Sequence, residues 1–118
     1  MPAVTAYQML IDGQWVDASD GARYDSVDPA TGDVWASMPE ATSDDVDRAV
    51  RAAEAAGISG RWASMTPTER GKCLRRLGDL LADASETLGR IETRDTGKMF
   101  KETRWQAKYI AEYFHFYA

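Results

Sequence analysis

Cysteine and long hydrophobic runs are almost absent from this sequence. Its 118 residues include a single cysteine, Cys73, which forms no disulfide within the chain and requires no oxidising compartment. The first residues lack the basic and apolar segments of a signal peptide, and no apolar run approaches the roughly 18 residues that span a membrane. These absences predict a cytoplasmic protein that does not enter a membrane.

Positive charge is scarce as well. The chain has 14 Lys and Arg against 19 Asp and Glu, which gives a formal net charge of −5. Proteins that bind nucleic acid or an anionic membrane surface present a basic face, so the charge argues against both partners. The hydrophobic fraction of 44% and the charged fraction of 28% are typical of a folded globular chain.

The sequence contains none of the short motifs that carry common chemistry. It lacks paired Cys or His at metal-ligand spacing, a phosphate-binding loop and the three-glycine dinucleotide fingerprint. Its one possible thiol–imidazole pair is Cys73 with His115. We interpret Cys73, next to Leu74, as a core residue on the buried half of a helix, and His115 as a residue of a helix surface. A small thiol-dependent hydrolase that uses this pair is a formal alternative.

Residues 1–40 have the pattern of short strands and turns. The dipeptide Asp12-Gly13 is typical of a hairpin turn whose two central residues have positive φ. Further turns follow at Gly21 and at Pro29 to Gly32, where proline and glycine favour a change of direction. The predicted strands are residues 9–11, 14–16, 24–27 and 34–38. Together they predict a small meander that is not stable without a packing partner.

Residues 42–118 have a helical period. A first helix is capped by Thr42 or Ser43 and ends near Gly57 and Gly60, and a second follows the capping segment 66–69. A third begins around residues 83–86 and closes at Gly97. The residues that we predict to be buried on these helices are Val46, Ala49, Val50, Ala53, Leu74, Leu77, Leu81, Ala84, Leu88 and Ile91.

The last predicted helix, from near Phe100 to the end of the chain, is unusually aromatic. It holds seven of the twelve aromatic residues: Phe100, Trp105, Tyr109, Tyr113, Phe114, Phe116 and Tyr117. Its neighbouring face carries Ala107 and Ile110. So broad an apolar surface is typical of a helix that is buried on more than one side. It predicts that this chain is one piece of a larger folded unit, with a dimerisation helix as the alternative.

Six segments occur in a characteristic order and spacing. They are residues 10–16, the turn at 27–32, the helix at 46–56, Trp62 with 66–70, the segment 92–98 and residues 111–114. Together they resemble the N-terminal segment of the NAD(P)-dependent aldehyde dehydrogenase superfamily over most of the chain. The departures are Asp28, where that family usually has Asn, and Met99, where it often has Pro.

The resemblance implies an α/β fold, the N-terminal part of a Rossmann-type cofactor domain that is incomplete as a domain. Residues 1–40 are expected to form its short hairpins and residues 42–118 about four helices. The parent enzyme is expected to oxidise an aldehyde substrate with NAD or NADP through a cysteine thiolate, a glutamate-activated water and an asparagine. No segment of this chain matches the family motifs that carry that cysteine, that glutamate and that asparagine. We therefore expect no catalytic residue, no NAD or NADP binding and no activity from it alone.

The resemblance also suggests a monovalent cation site. Some members of the superfamily hold such a cation at positions that correspond to Asp95, Ser26 and Val27. An alternative is that Asp95 orders the turn at Gly97 and Lys98 through backbone N–H groups. For partners, we expect either the remainder of the enzyme or self-association through the aromatic helix. The rival function is a stand-alone interaction or dimerisation module that keeps this fold.

Overall fold

Five short strands precede five helices in the computed structural model, which describes residues 3–118. The strands are β1 (Thr5–Ala6), β2 (Met9–Ile11), β3 (Gln14–Val16), β4 (Arg23–Val27) and β5 (Val34–Pro39). The helices are α1 (Ser43–Ile58), α2 (Arg61–Ser64), α3 (Pro67–Asp83), α4 (Ser85–Thr96) and α5 (Phe100–Tyr117). The chain forms two compact units. The first unit contains the residues up to Asp28 and Gly32–Ser64, and the second unit contains Pro29–Thr31 and Met65–Ala118.

The strands of the first unit form two separate sheets. β2 and β3 make an antiparallel hairpin, and the turn residues Asp12 and Gly13 have φ of 51° and 72°, which confirms the predicted turn. The second sheet has the order β1-β5-β4, with β1 parallel and β4 antiparallel to β5. β4 and β5 pair as the predicted meander requires, but the β2–β3 hairpin forms a separate sheet instead of continuing it. Strand β1, which was not predicted, pairs in parallel with β5. Their parallel pairing joins segments about thirty residues apart, so no turn residue marks it.

The core of this unit lies on the central strand β5. Trp35 and Ala36 are buried there, together with Ile11 of β2 and Ala18. The Trp35 ring meets Tyr7 edge to face, with 6.3 Å between the ring centroids. An edge-to-face pair of this kind adds to the stabilisation from burial alone.

Helix α1 begins at a capping box. The Thr42 hydroxyl accepts a hydrogen bond from the Asp45 backbone N–H, and the Asp45 carboxylate accepts one from the Thr42 N–H at 3.1 Å. The buried Asp45 also accepts hydrogen bonds from the Ser19 N–H at 3.0 Å and from Arg48 at 3.1 Å. The backbone N–H groups of Ser19 and then Thr42 lower the pKa of Asp45 to about 2.

The apolar stripe predicted for α1 is not buried in this unit. Val46 and Val50 are more than half exposed, and Ala53 is exposed as well. The helix contacts the hairpin strand β2 and the short helix α2, which the sequence did not predict. The period of the stripe identifies the helix correctly, but it does not reveal which surface covers the stripe.

The second unit is built from α3, α4 and α5. The Thr66 hydroxyl and Glu69 close a second capping box, with Pro67 at the first helical position, as predicted. Helix α4 ends at Gly97, whose φ of 73° is left-handed and whose N–H bonds the Thr93 carbonyl at 2.9 Å. Both boundaries follow from local signals.

Small residues, not the predicted leucine stripe, form the contact of α3 with α5. Gly71 and Gly78 are buried on α3, Leu74 and Leu81 are half-buried, and Leu77 is exposed. A Cβ at Gly78 would lie 2.6 Å from the His115 ring. Glycine therefore permits a close approach of the two helices, and burial of Leu77 is wrong because the helix turns its small residues towards α5.

Helix α4 approaches α5 through Gly89 and a buried threonine. A Cβ at Gly89 would lie 2.7 Å from the Arg104 Cα. The Thr103 hydroxyl, which is fully buried, lies 2.9 Å from the Gly89 carbonyl and 2.8 Å from the Thr93 hydroxyl. The buried face of α5 is completed by Ala107 and Ala111. Of the residues predicted to be buried on α4, Leu88 is half-buried and Ile91 is 37% exposed.

Replacement of Asp45 by Asn tests the capping network. A carboxyl group with a depressed pKa contributes stability above its unfolded pKa of 3.8, and that contribution is lost as the pH falls through about 2. We expect Asp45→Asn to lower the thermal unfolding midpoint clearly at pH 6 and only slightly at pH 2. Asp47→Asn, an exposed change on the same helix, is the control. Equal losses for Asp45→Asn at both pH values would contradict the assignment.

Two glycine-to-alanine changes test the helix contacts. Gly89→Ala is expected to destabilise the chain by about 1–3 kcal/mol because the new methyl group meets the α5 backbone. A Cβ at Gly57 in α1 would meet open space. Gly57→Ala is therefore expected to stabilise the chain by about 0.4–1 kcal/mol. Denaturant unfolding with circular dichroism measures both. A neutral Gly89→Ala would show that α4 and α5 are less closely packed.

Candidate functional site

The three residues proposed for a cation lie in different units. Ser26 and Val27 end strand β4 in the first unit, where the register against β5 shifts between them. Asp95 lies in the last turn of α4 in the second unit and is exposed. The turn after α4 is ordered in part by Thr96, whose side-chain oxygen lies 3.3 Å from the Lys98 backbone nitrogen. Carbonyl and carboxylate oxygens are suitable donors for a hard cation.

The thiol and the imidazole do not form a pair. Cys73 is exposed on α3, so its interpretation as a core residue is wrong. Because α3 turns Gly71 and Gly78 towards α5, Cys73 lies away from that contact. The half-buried His115 is hydrogen-bonded to Asp79, with 3.1 Å between Nε2 and Oδ1. Asp79 lies six residues, or about 9 Å of helix rise, beyond Cys73.

The His115–Asp79 contact was not predicted from the sequence. His115 was assigned to a helix surface, yet its ring lies over Gly78 in the contact of α3 with α5. The adjacent pair Gly78-Asp79 supplies both the space for the ring and the acceptor for its nitrogen. Only the docking of the two helices brings these residues together, so no local signal reveals them.

Residues 3–118 contain neither a cluster of metal-binding side chains nor a membrane-spanning helix. No group of three or more His, Cys, Asp or Glu side chains in this part of the chain could hold a metal ion. No helix among the same residues is long and apolar enough to cross a membrane.

An aromatic stripe on α5 is an exposed apolar feature of the second unit. We define the stripe as Trp105, Tyr109, Tyr113, Phe116 and Tyr117, which are between 46% and 80% exposed. Trp105 stacks on Tyr109 at 4.9 Å with an interplanar angle of 9°, and Tyr113 meets Tyr109 edge to face at 5.6 Å. The predicted helix and its broad apolar surface are confirmed, although the neighbouring Ile110 is also exposed.

The first unit presents an apolar groove of its own. Leu10 and Ile11 of β2 line it on one side, and Val46, Ala49 and Val50 of α1 on the other. Leu10 is 58% exposed. Each unit therefore has an apolar face that is not covered by its own residues, a property of surfaces that meet another part of a protein.

Comparison with known proteins identifies the family. The family model described as the aldehyde dehydrogenase family matches residues 15–118. The chain belongs to this family. A (Z)-2-((N-methylformamido)methylene)-5-hydroxybutyrolactone dehydrogenase of Acinetobacter baylyi is 46% identical over 112 residues, which are 95% of this chain and 22% of that protein. The resemblance inferred from the sequence is thereby confirmed.

Solved structures of aldehyde dehydrogenases share the fold. An NAD-dependent aldehyde dehydrogenase of Sinorhizobium meliloti superposes with a TM-score of 0.91 at 36% identity, over 97% of this chain and 23% of its own. A Staphylococcus aureus betaine aldehyde dehydrogenase, solved in complex with NAD+, superposes with a TM-score of 0.87 at 34% identity. The match covers 92% of this chain and 22% of that chain. This chain thus has the predicted α/β fold, and it spans less than a quarter of the length of these relatives.

Proposed function

We propose that this chain is the N-terminal part of an enzyme that oxidises an aldehyde to a carboxylic acid with NAD+ or NADP+. The observation that carries the proposal is the family match over residues 15–118, together with coverage of 22% of the Acinetobacter relative. The Staphylococcus neighbour was solved with NAD+, which supports a nicotinamide cofactor for the parent enzyme.

The catalytic groups of that enzyme are proposed to lie outside these 118 residues. Cys73 is not assigned the role of the nucleophile, because the His115 imidazole, which could activate a thiol, is hydrogen-bonded to Asp79. Residues 3–118 also offer no glycine-rich turn that fits a dinucleotide phosphate. No reaction step or cofactor contact is therefore assigned to this chain.

The proposed role of the chain within the enzyme is structural. The groove beside α1 and the aromatic stripe of α5 are two apolar faces that the rest of an aldehyde dehydrogenase would cover. Burying these two faces would stabilise the folded enzyme by about 25 cal/mol for each Å² of apolar surface that is removed from water. The rival function is a stand-alone interaction module, which the exposed stripe also supports because interfaces present such patches.

Activity measurements on two proteins test the proposed function. The purified 118-residue chain is expected to reduce neither NAD+ nor NADP+ with a panel of aldehydes. A chimera in which it replaces the matching segment of the Acinetobacter relative is expected to be active, because the two segments are 46% identical over 112 residues. The relative without its own segment is the inactive control. Aldehyde oxidation by the chain alone, or a folded but inactive chimera, would contradict the proposal.

We also propose that Ser26, Val27 and Asp95 bind a monovalent cation. Backbone carbonyl and carboxylate oxygens support it, as does the irregular register at the end of β4. The thermal unfolding midpoint of the chain is expected to be higher in sodium or potassium chloride than in choline chloride of equal ionic strength. Asp95→Asn should abolish this difference.

The competing role of Asp95 gives a different result in the same experiment. If Asp95 only orders the turn at Gly97 and Lys98, Asp95→Asn lowers the midpoint equally in every salt. Glu102→Gln, an exposed change in the first turn of α5, controls for the loss of one negative charge. A midpoint that does not depend on the cation in the unmodified chain would exclude the site.

A further inference from the structure

The aromatic stripe of α5 has the spacing of a self-complementary surface. Trp105, Tyr109, Tyr113 and Tyr117 recur every four residues and are symmetric about the level of Ala111. If two copies of α5 meet antiparallel about a two-fold axis at that level, Trp105 faces Tyr117 of the second copy. Tyr109 then faces Tyr113 of the second copy. A two-fold interface requires this kind of correspondence, in which one patch fits itself.

The area of the stripe is sufficient for an interface of modest size. A buried aromatic side chain covers about 150–250 Å², so the exposed fractions of the five aromatic residues correspond to roughly 500–800 Å² on each copy. A standard specific interface buries about 800 Å² on each partner, and transient interfaces bury less. The stripe is also partly ordered before association, because Trp105, Tyr109 and Tyr113 already contact one another.

Charges beside the stripe agree with the same arrangement. Lys108 and Glu112 are exposed and lie on one flank of the stripe at helical spacing. A two-fold axis perpendicular to antiparallel helices brings that flank of one copy against the same flank of the other. Lys108 is then nearly level with Glu112 of the second copy, and the axis generates this opposite-charge pair twice. Net charge works against association of two copies, since each carries −5.

We propose that the 118-residue chain in solution pairs with a second copy of itself through an antiparallel contact of two α5 helices. The contact buries the aromatic stripe and forms two Lys108–Glu112 ion pairs across the axis. This pairing concerns the chain without the segments proposed above to cover the stripe, because the stripe is exposed there. It does not depend on the aldehyde oxidation proposed above.

Sedimentation equilibrium over the micromolar concentration range tests the pairing. The unmodified chain is expected to show a monomer–dimer equilibrium. Lys108→Glu and Glu112→Lys should each weaken the dimer, because each change replaces both ion pairs by like-charge contacts. Exposed ion pairs contribute about 0.2–1 kcal/mol each, so the dissociation constant should rise by about 2- to 30-fold for either variant alone.

A mixture of the two variants is the decisive measurement. In a heterodimer of the Lys108→Glu chain with the Glu112→Lys chain, both pairs across the axis again have opposite charges. The mixture should therefore form a dimer about as tightly as the unmodified chain. Contacts within one helix cannot explain that recovery, because each variant chain still carries like charges at positions 108 and 112.

Three results would overturn the proposal. A chain that stays monomeric at every concentration leaves the stripe for another protein or for further segments of the enzyme. A dimer that neither charge reversal weakens uses another surface. Variants that associate more weakly alone and do not recover when mixed exclude the antiparallel register. A change of Lys101 to Glu, on the same flank but distant from the two-fold level, is the matched control and should alter the affinity less.

Discussion

The close approach of α5 to α3 and α4 is the constraint on which the second unit depends. Gly78 and Gly89 lie where a Cβ would collide with α5, and the buried Thr103 fills the contact from the other side. Side chains of ordinary size would separate these helices, because packed interiors have no spare volume. The hydroxyl group of the buried Thr103 also has three hydrogen-bond partners within reach. These are the backbone carbonyls of Gly89 and Phe100 and the hydroxyl group of Thr93.

This constraint explains why the largest side chains of α5 face outwards. A helix docked through Thr103, Ala107 and Ala111 uses its small residues for the contact. Its bulky residues then occupy the opposite side, where Trp105 and Tyr117 remain largely exposed. The aromatic stripe is therefore not a failure of packing within the unit. It is a second apolar surface, and covering it is a separate step that another segment or another molecule must supply.

The first unit shows the same separation between internal packing and outward surface. Its core on β5 and the buried Asp45 are complete within the unit, whereas Val46 and Val50 of α1 stay exposed. The family match assigns the chain to the aldehyde dehydrogenases. It also gives a reason for the exposed faces, since the relatives are more than four times as long as the matched segment.

The sequence by itself determined the local features. Asp12-Gly13, the two capping boxes at Thr42 and Thr66 and the end of α4 at Gly97 could be predicted, because each depends on hydrogen bonds and φ values within a few residues. The order of several weak motifs also identified the family. The cation site remains a prediction from that resemblance.

Only the tertiary structure decided what depends on distant segments. It paired β1 with β5, exposed Cys73 and joined His115 to Asp79 across two helices. It also showed that glycines rather than leucines form the face of α3 that meets α5. The physical reason is the same in each case. A periodic pattern defines the faces of a helix or strand, but burial depends on which other surface meets each face, and that surface is formed by residues far away in the sequence.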